Sequence, residues 1–150
     1  MDLSKKDITL IKELQKDSSR SLRKLSRKLN MPVTTLYDKK KKMEKEGIIK
    51  KYKAVLDPEK VNKPIVAFIF LRVSFEIPLK EVAKKLTTIP GVMEVHVVTG
   101  EWDILMKMRG KDIKEIGNLV TDKLSKIKGI QRSLTINSWV VVKDESDILL

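Results

Sequence analysis

The chain has 150 residues, 41% hydrophobic and 35% charged, with 6 glycines, 5 prolines and no cysteine, which suits one ordinary core or two small ones in a soluble globular protein. This excludes a large multidomain enzyme, a disulfide framework, a thiolate nucleophile, a cysteine zinc site and an iron–sulfur cluster. The formal charge is +12, and residues 1–53 hold 17 Lys and Arg against 7 Asp and Glu, so the first third carries +10 and the remainder +2. A basic excess so localised is a footprint for a polyanion, nucleic acid or an anionic membrane surface, with a merely solubilising surface as the alternative.

In chain order, three short helical patterns come first, with apolar residues at three-and-four spacing. The first opens at Ser4, an N-cap with Asp7 three residues on, carries Ile8, Ile11 and Leu14, and breaks at Asp17–Ser19. A second runs from about Ser21 with Leu22, Leu25 and Leu29 and ends at Asn30; a third opens near Pro32, carries Val33, Leu36 and Met43, and stops at Gly47, with Ile48 as the apolar residue after the cap. Three helices joined by short turns suit a helix-turn-helix unit over residues 1–50. Residues 48–56 read as extended chain, and Asp57–Pro64 as a hinge, giving a linker over residues 51–63.

Residues 64–150 alternate strand and helix patterns: strand 65–75, helix 79–88, strand 92–99, strand 102–109, helix 112–127 and strand 130–143. The order βαββαβ predicts a ferredoxin-like antiparallel sheet with two helices on one face, so the whole is α+β. Ile89-Pro90-Gly91-Val92 and Ile127-Lys128-Gly129-Ile130 each close a helix and open a strand, a weak internal repeat. The tail from Asp144 to Leu150 is acidic and then apolar, and reads either as a frayed end or as a segment docking on a neighbouring subunit. The apolar run Ile65–Val73 is interrupted at Arg72 and is far shorter than the roughly 18 residues of a membrane span. The start lacks a signal-peptide pattern, so no membrane partner and a cytoplasmic location are expected.

On the third helix, Thr34, Thr35, Asp38, Lys39, Lys41 and Lys42 lie off the apolar stripe, as do residues that reach base edges and phosphates when a helix enters the major groove. Arg20 and Ser21, at the start of the second helix, are placed to meet a phosphate together with that helix's N-terminal amides. Thr99-Gly100-Glu101-Trp102-Asp103 lies between two strands. Gly100 suits a tight hairpin; the functional alternative is that turn amides take a small carboxylate while Asp103 takes an ammonium, a combination that specifies an amino acid. The single histidine, His96, has no second histidine for a metal site or a triad, so neither a metal nor an enzyme is expected.

Together the two halves resemble the Lrp/AsnC, or feast/famine, transcription regulators over about residues 3–143. The likeness rests on Asp7, Ile8, Leu14, Asp17, Arg20, Leu25, Leu29, Leu36, Met43, Glu44, Gly47 and Ile49, on Tyr52 and Asp57, and on Gly100 and Asp103 with Trp102 between them. The resemblance implies a winged-helix-like DNA-binding unit, homodimers on pseudo-palindromic double-stranded DNA and assembly to an octamer. It also implies an amino-acid effector, and no other cofactor, held between dimers by Gly100, Glu101, Trp102 and Asp103 with Asp122, Thr135 and Asn137. Lys39 stands where the family has arginine, Lys40 where it has an apolar residue, and Pro32 where it has a Ser or Thr cap. The acidic lining of Glu101, Asp103 and Asp122 leads to the expectation of a basic effector. An architectural DNA-compacting protein without effector, or a ligand-binding module with an incidental basic head, are the alternatives.

Overall fold

The computed structural model describes residues 3–145 and Ile148. It divides into two compact units, the first reaching Val55 and taking in Glu145 and Ile148, the second spanning Leu56–Asp144. Of the tail, Ser146, Asp147, Leu149 and Leu150 lie outside the described residues, whereas Asp144 is paired with Lys107 and Arg109.

The first unit holds α1 (Lys5–Lys16), α2 (Leu22–Leu29) and α3 (Val33–Lys45). The Ser4 hydroxyl accepts from the Asp7 amide and the Asp7 carboxylate accepts from the Ser4 amide, a reciprocal capping box that fixes the start of α1. The Ser21 hydroxyl caps α2 by accepting from the Lys24 amide, and Asn30 ends that helix in the left-handed region at φ 49°. The core is Leu10, Leu14, Leu25, Met31, Leu36 and Met43, flanked by Ile11, Leu22, Leu29 and Ile49. Three sequence expectations need correction. Leu10 rather than Ile8 is central, because the stripe of α1 turns by one position; Val33 is 40% exposed at the first residue of α3; and Ile49, not Ile48, packs against the core after Gly47 turns the chain at φ 72°. Among the described residues the first unit has no strand, and residues 50–57 carry no regular secondary structure.

The second unit holds β1 (Ile65–Val73), α4 (Leu79–Leu86), β2 (Val92–Val97), β3 (Ile104–Gly110), α5 (Ile113–Asp122), a single 3-10 turn (Leu124–Lys126) and β4 (Ile130–Asn137). The sheet order β2-β3-β1-β4 is antiparallel throughout, so each helix crosses from one strand to a strand two places away. Alternation along β1 and β3 sends Ala67, Ile69, Leu71, Val73, Ile104, Met106 and Met108 to one face, where Val82 and Leu86 of α4, Ile116 of α5 and Leu124 close the core. The repeated Gly91 and Gly129 both take positive φ, at 86° and 97°.

Several predicted elements are shorter than the apolar pattern implied. β1 stops at Val73 rather than residue 75, because Ser74–Ile77 turns and leaves Phe75 fully exposed. α4 ends at Leu86 and β2 at Val97, each two residues early. β3 begins at Ile104, since Trp102 and Asp103 belong to the preceding turn. The helix predicted over 112–127 ends at Asp122 and tightens into the 3-10 turn. β4 ends at Asn137 instead of residue 143: after the Ser138 amide meets the Val66 carbonyl, the next position on β1's side approaches Pro64, which has no amide hydrogen to donate.

Candidate functional site

In the first unit, α3 buries Leu36 and Met43 and turns Thr34, Asp38, Lys41 and Lys42 outward, with Thr35 half-buried. Lys41 pairs with Glu44 at 3.0 Å and Lys42 approaches Glu46 at 4.0 Å, yet both amines stay more than half exposed and can exchange these partners for a phosphate. Lys40, where an apolar residue was expected, is half-buried and brings its ammonium 4.6 Å from the Tyr52 ring centroid. The Tyr52 hydroxyl donates to Glu44 at 3.1 Å, and burial together with that carboxylate pushes the phenol up to about 12. The exit segment is thereby tied to the back of α3.

Two of the expected DNA contacts are already engaged inside the unit. Lys39 donates to Asp7 at 2.7 Å, joining the middle of α3 to the first turn of α1, and this ion pair with the Ser4 bonds lowers Asp7 to about 2. Arg20 donates to Glu13 at 3.1 Å and to Asp17 at 3.0 Å, locking the turn between α1 and α2. Glu13, with a side chain only 8% exposed, also receives Lys28 at 2.6 Å, which holds its carboxyl below the usual range. Asp7 and Glu13 are the buried charged residues among those described. Their role as anchors for Lys39, Arg20 and Lys28 had no local sequence signal, because the partners lie up to 32 residues apart. Ser21 uses its hydroxyl oxygen as a cap and keeps its O–H available. Arg23, Lys24, Arg27, Lys50 and Lys51 are exposed without an ion pair among the described residues, and they extend the basic surface beyond the positions picked from sequence.

In the second unit the turn before β3 is built around Asp103. Its carboxylate accepts from the Val73 amide at 2.8 Å, its own amide donates to the Leu71 carbonyl at 3.0 Å, and its carbonyl accepts from the Val98 amide at 2.9 Å. One carboxylate oxygen is therefore spent on closing the end of β1. Gly100 has φ 127°, a conformation a side chain resists. Among the described residues no acceptor meets the amides of Gly100, Glu101 or Trp102, so the turn presents free donors.

A cavity of about 180 Å³ opens beside this turn, lined by Arg72, Glu101, Trp102 and Arg132. The Trp102 ring lies 6.1 Å from Phe70, and the Arg132 guanidinium lies 5.4 Å from the Trp102 ring centroid. Of the expected effector residues, Glu101 and Trp102 line this cavity and Gly100 and Asp103 shape its turn. Thr135 and Asn137 lie further along β4 on the helix side, three and five residues from Arg132, or about 10 and 17 Å at strand spacing, and Asp122 ends α5. Within one chain the structure does not gather these three with the turn. Arg72 and Arg132 were absent from the sequence reading, although Arg72 was visible there as the one charge interrupting an apolar strand. Among the described residues no group of three or more His, Asp or Glu could hold a metal ion.

Comparison with known proteins places this geometry. Residues 66–148 match the Lrp/AsnC ligand binding domain, and residues 3–50 match a winged helix-turn-helix DNA-binding domain. An uncharacterized HTH-type transcriptional regulator of Pyrococcus furiosus is 40% identical over 145 residues, covering 95% of this chain and 97% of that protein. The HTH-type transcriptional regulator FL11 of the same organism is 33% identical over 147 residues, covering 98% and 94%. Among solved structures, a transcriptional regulator of Neisseria meningitidis in complex with L-methionine superposes with a TM-score of 0.93 at 26% identity, over 99% of this chain and 97% of that one.

Proposed function

The chain belongs to the Lrp/AsnC family of helix-turn-helix transcriptional regulators, and from that premise we propose that it reads a pseudo-palindromic operator in double-stranded DNA and answers to an amino acid bound at the Gly100–Asp103 turn between dimers. It is a regulator and not an enzyme. The observation that carries the DNA reading is the outward face of α3, where Thr34, Asp38, Lys41 and Lys42 stand exposed on a helix whose opposite face is fixed by Leu36 and Met43. Thr34, Thr35 and Asp38 read base edges, while Ser21, Lys41 and Lys42 with Arg23, Lys24, Arg27, Lys50 and Lys51 meet phosphates. Lys39 and Arg20 act chiefly by holding α1, α2 and α3 in register, each through a buried carboxylate.

The homodimer forms through the helix-free face of the sheet. Phe68, Phe70 and Leu105 stand there half-exposed, with Leu134 at 43% and Ile136 at 48% exposure, a contiguous apolar surface of the kind that marks an interface. Four such dimers close the octamer and bring Asp122, Thr135 and Asn137 of neighbouring chains to the effector turn. No helix among the described residues is long and apolar enough to cross a membrane, and a cytoplasmic location follows from work on DNA. Support for an amino-acid effector comes from the free turn amides and from the L-methionine held by the Neisseria regulator. Calorimetry of the intact oligomer with each of the twenty amino acids tests it. Binding of one of them, with a change in operator affinity when it is present, is the expected result; heat from none of them rejects the effector.

A further inference from the structure

Lys41 and Lys42 are neighbouring phosphate contacts on α3, and each is held by a carboxylate at the end of that helix, Glu44 at 3.0 Å and Glu46 at 4.0 Å. An ammonium must leave its carboxylate before it can turn to a phosphate, so each pair opposes DNA binding by the worth of an exposed ion pair. The two carboxylates are not employed alike. That of Glu46 has no second partner among the described residues. Glu44 divides its oxygens: Oε2 takes Lys41, and Oε1 accepts from the Tyr52 hydroxyl at 3.1 Å. Tyr52 lies eight residues further on, in the exit segment that leads out of the first unit, with the Lys40 ammonium beside its ring. Lys41 first and the Tyr52 hydroxyl after it, against some burial, hold the Glu44 carboxyl below the usual range, so it stays charged.

We propose that Glu44 is a brake on Lys41 and that the Tyr52 hydroxyl eases it, so that Tyr52 tunes DNA affinity without touching DNA. The hydroxyl and the Lys41 ammonium compete for one negative charge. A carboxylate that accepts a hydrogen bond on one oxygen has its charge partly satisfied and holds a cation on the other less firmly. When Lys41 turns to a phosphate, the Tyr52 hydroxyl remains on Glu44, with Lys40 close by, and no lone carboxylate is left beside the DNA backbone. Without the hydroxyl, Lys41 is the one hydrogen-bonding partner of the Glu44 carboxylate among the described residues, and its departure leaves that charge unpaired. The placement of the exit segment at Tyr52 and the capture of a phosphate at Lys41 are thus linked through one side chain, and such linkage acts in both directions. Tyr52 is in this sense a positioning residue for DNA binding. Lys42 lacks the device, since the Glu46 carboxylate has no hydroxyl to share.

This inference rests on the DNA reading above, and one set of variants separates the two. The full-length parent, Y52F, E44Q, Y52F/E44Q, K41A and K41A/E44Q are titrated by fluorescence anisotropy against a labelled promoter duplex and a scrambled one at two salt concentrations. Thermal unfolding checks that each variant is folded. E44Q keeps an acceptor for Tyr52 and loses the charge. It should bind both duplexes about three- to tenfold more tightly, two exposed ion pairs being released per dimer, and the gain should shrink as salt rises. Y52F should bind about two- to fivefold more weakly, within the same range, and that loss should vanish in Y52F/E44Q. K41A/E44Q should bind like K41A. A loss from Y52F that persists in the E44Q background gives Tyr52 a contact or packing role of its own and overturns the proposal. A gain from E44Q that persists without Lys41 is an effect of net charge alone and also overturns it. If the parent binds and E44Q and Y52F merely follow it, the brake falls and the DNA reading stands. If the parent binds neither duplex, both readings fall.

Discussion

Replacing Lys39 by alanine removes the ion pair that joins the middle of α3 to the first turn of α1. The Asp7 carboxyl is held at about 2 against an ordinary 3.8, with the Lys39 hydrogen bond as the largest cause and the Ser4 hydroxyl next. At about 1.4 kcal/mol per pKa unit the whole shift amounts to roughly 2 to 2.5 kcal/mol, and the Lys39 hydrogen bond is its largest single cause. The Lys39→Ala protein should therefore lose about 1 to 2 kcal/mol near neutral pH, within the first unit alone. Because the folded value lies below the unfolded one, this stabilisation is complete above about pH 4 and disappears as the pH falls toward 2. Asp7→Asn should remove that pH dependence. Hydrogen exchange of the α1 and α3 amides reads the local stability without requiring the two units to unfold together. DNA titrations run in parallel should show the salt slope of Lys39→Ala close to the parent's, since its ammonium faces Asp7. Unchanged protection in α1 combined with a shallower salt slope would refute the reasoning, because it would put Lys39 on a phosphate.

Four further outcomes follow from the same geometry. Lys42→Ala should weaken binding to all duplexes alike and reduce the slope of log K against log salt by about 1, whereas Thr35→Ala should change preference among sequences by roughly 1 to 3 kcal/mol per affected base pair; identical sequence profiles for the two variants would contradict their assigned roles. Asp103→Ala leaves the Val73 amide without its 2.8 Å acceptor and should cost about 1 to 3 kcal/mol of second-unit stability in thermal unfolding, while Asp103→Asn keeps most of it. Gly100→Ala meets no atom within 4 Å, so its cost comes from the φ of 127° alone and should be about 1 kcal/mol or somewhat more by the same assay. Ser21→Ala removes the cap of α2 and should lower first-unit stability by about 1 kcal/mol, measured by exchange of the Leu22–Lys24 amides.

Local chemistry made much of the fold readable. Ser4 and Asp7, Ser21, Asn30 and Gly47 mark helix ends by capping and turn preferences that act over a few residues. The alternation of Ala67, Ile69, Leu71 and Val73 likewise names the buried face of β1. Strand ends were less legible, because Trp139–Val142 continues the apolar pattern of β4 after Pro64 has removed its hydrogen-bond partner. At the sites, residue type proved a poor guide to employment. Lys39 and Arg20 look like DNA contacts from their spacing, yet carboxylates on α1 and at its end take them up through tertiary packing that spacing along α3 does not reveal. Arg72 and Arg132 lie 60 positions apart in sequence and become one feature only through the β1–β4 register. Lys40 shows the reverse case: a charge at an expected apolar position meets the Tyr52 ring.

Sequence-specific regulation is tested most directly by fluorescence anisotropy of a labelled duplex carrying this gene's own promoter region, titrated at two salt concentrations against scrambled DNA of equal length. The outward face of α3 predicts a preference for the promoter of about 10³ or more. With about six phosphates neutralised per dimer, log K should fall with log salt at a slope of roughly −5. Equal affinity for the two duplexes, with the same steep slope, would contradict sequence-specific control of its own gene and favour a protein that coats DNA without reading it.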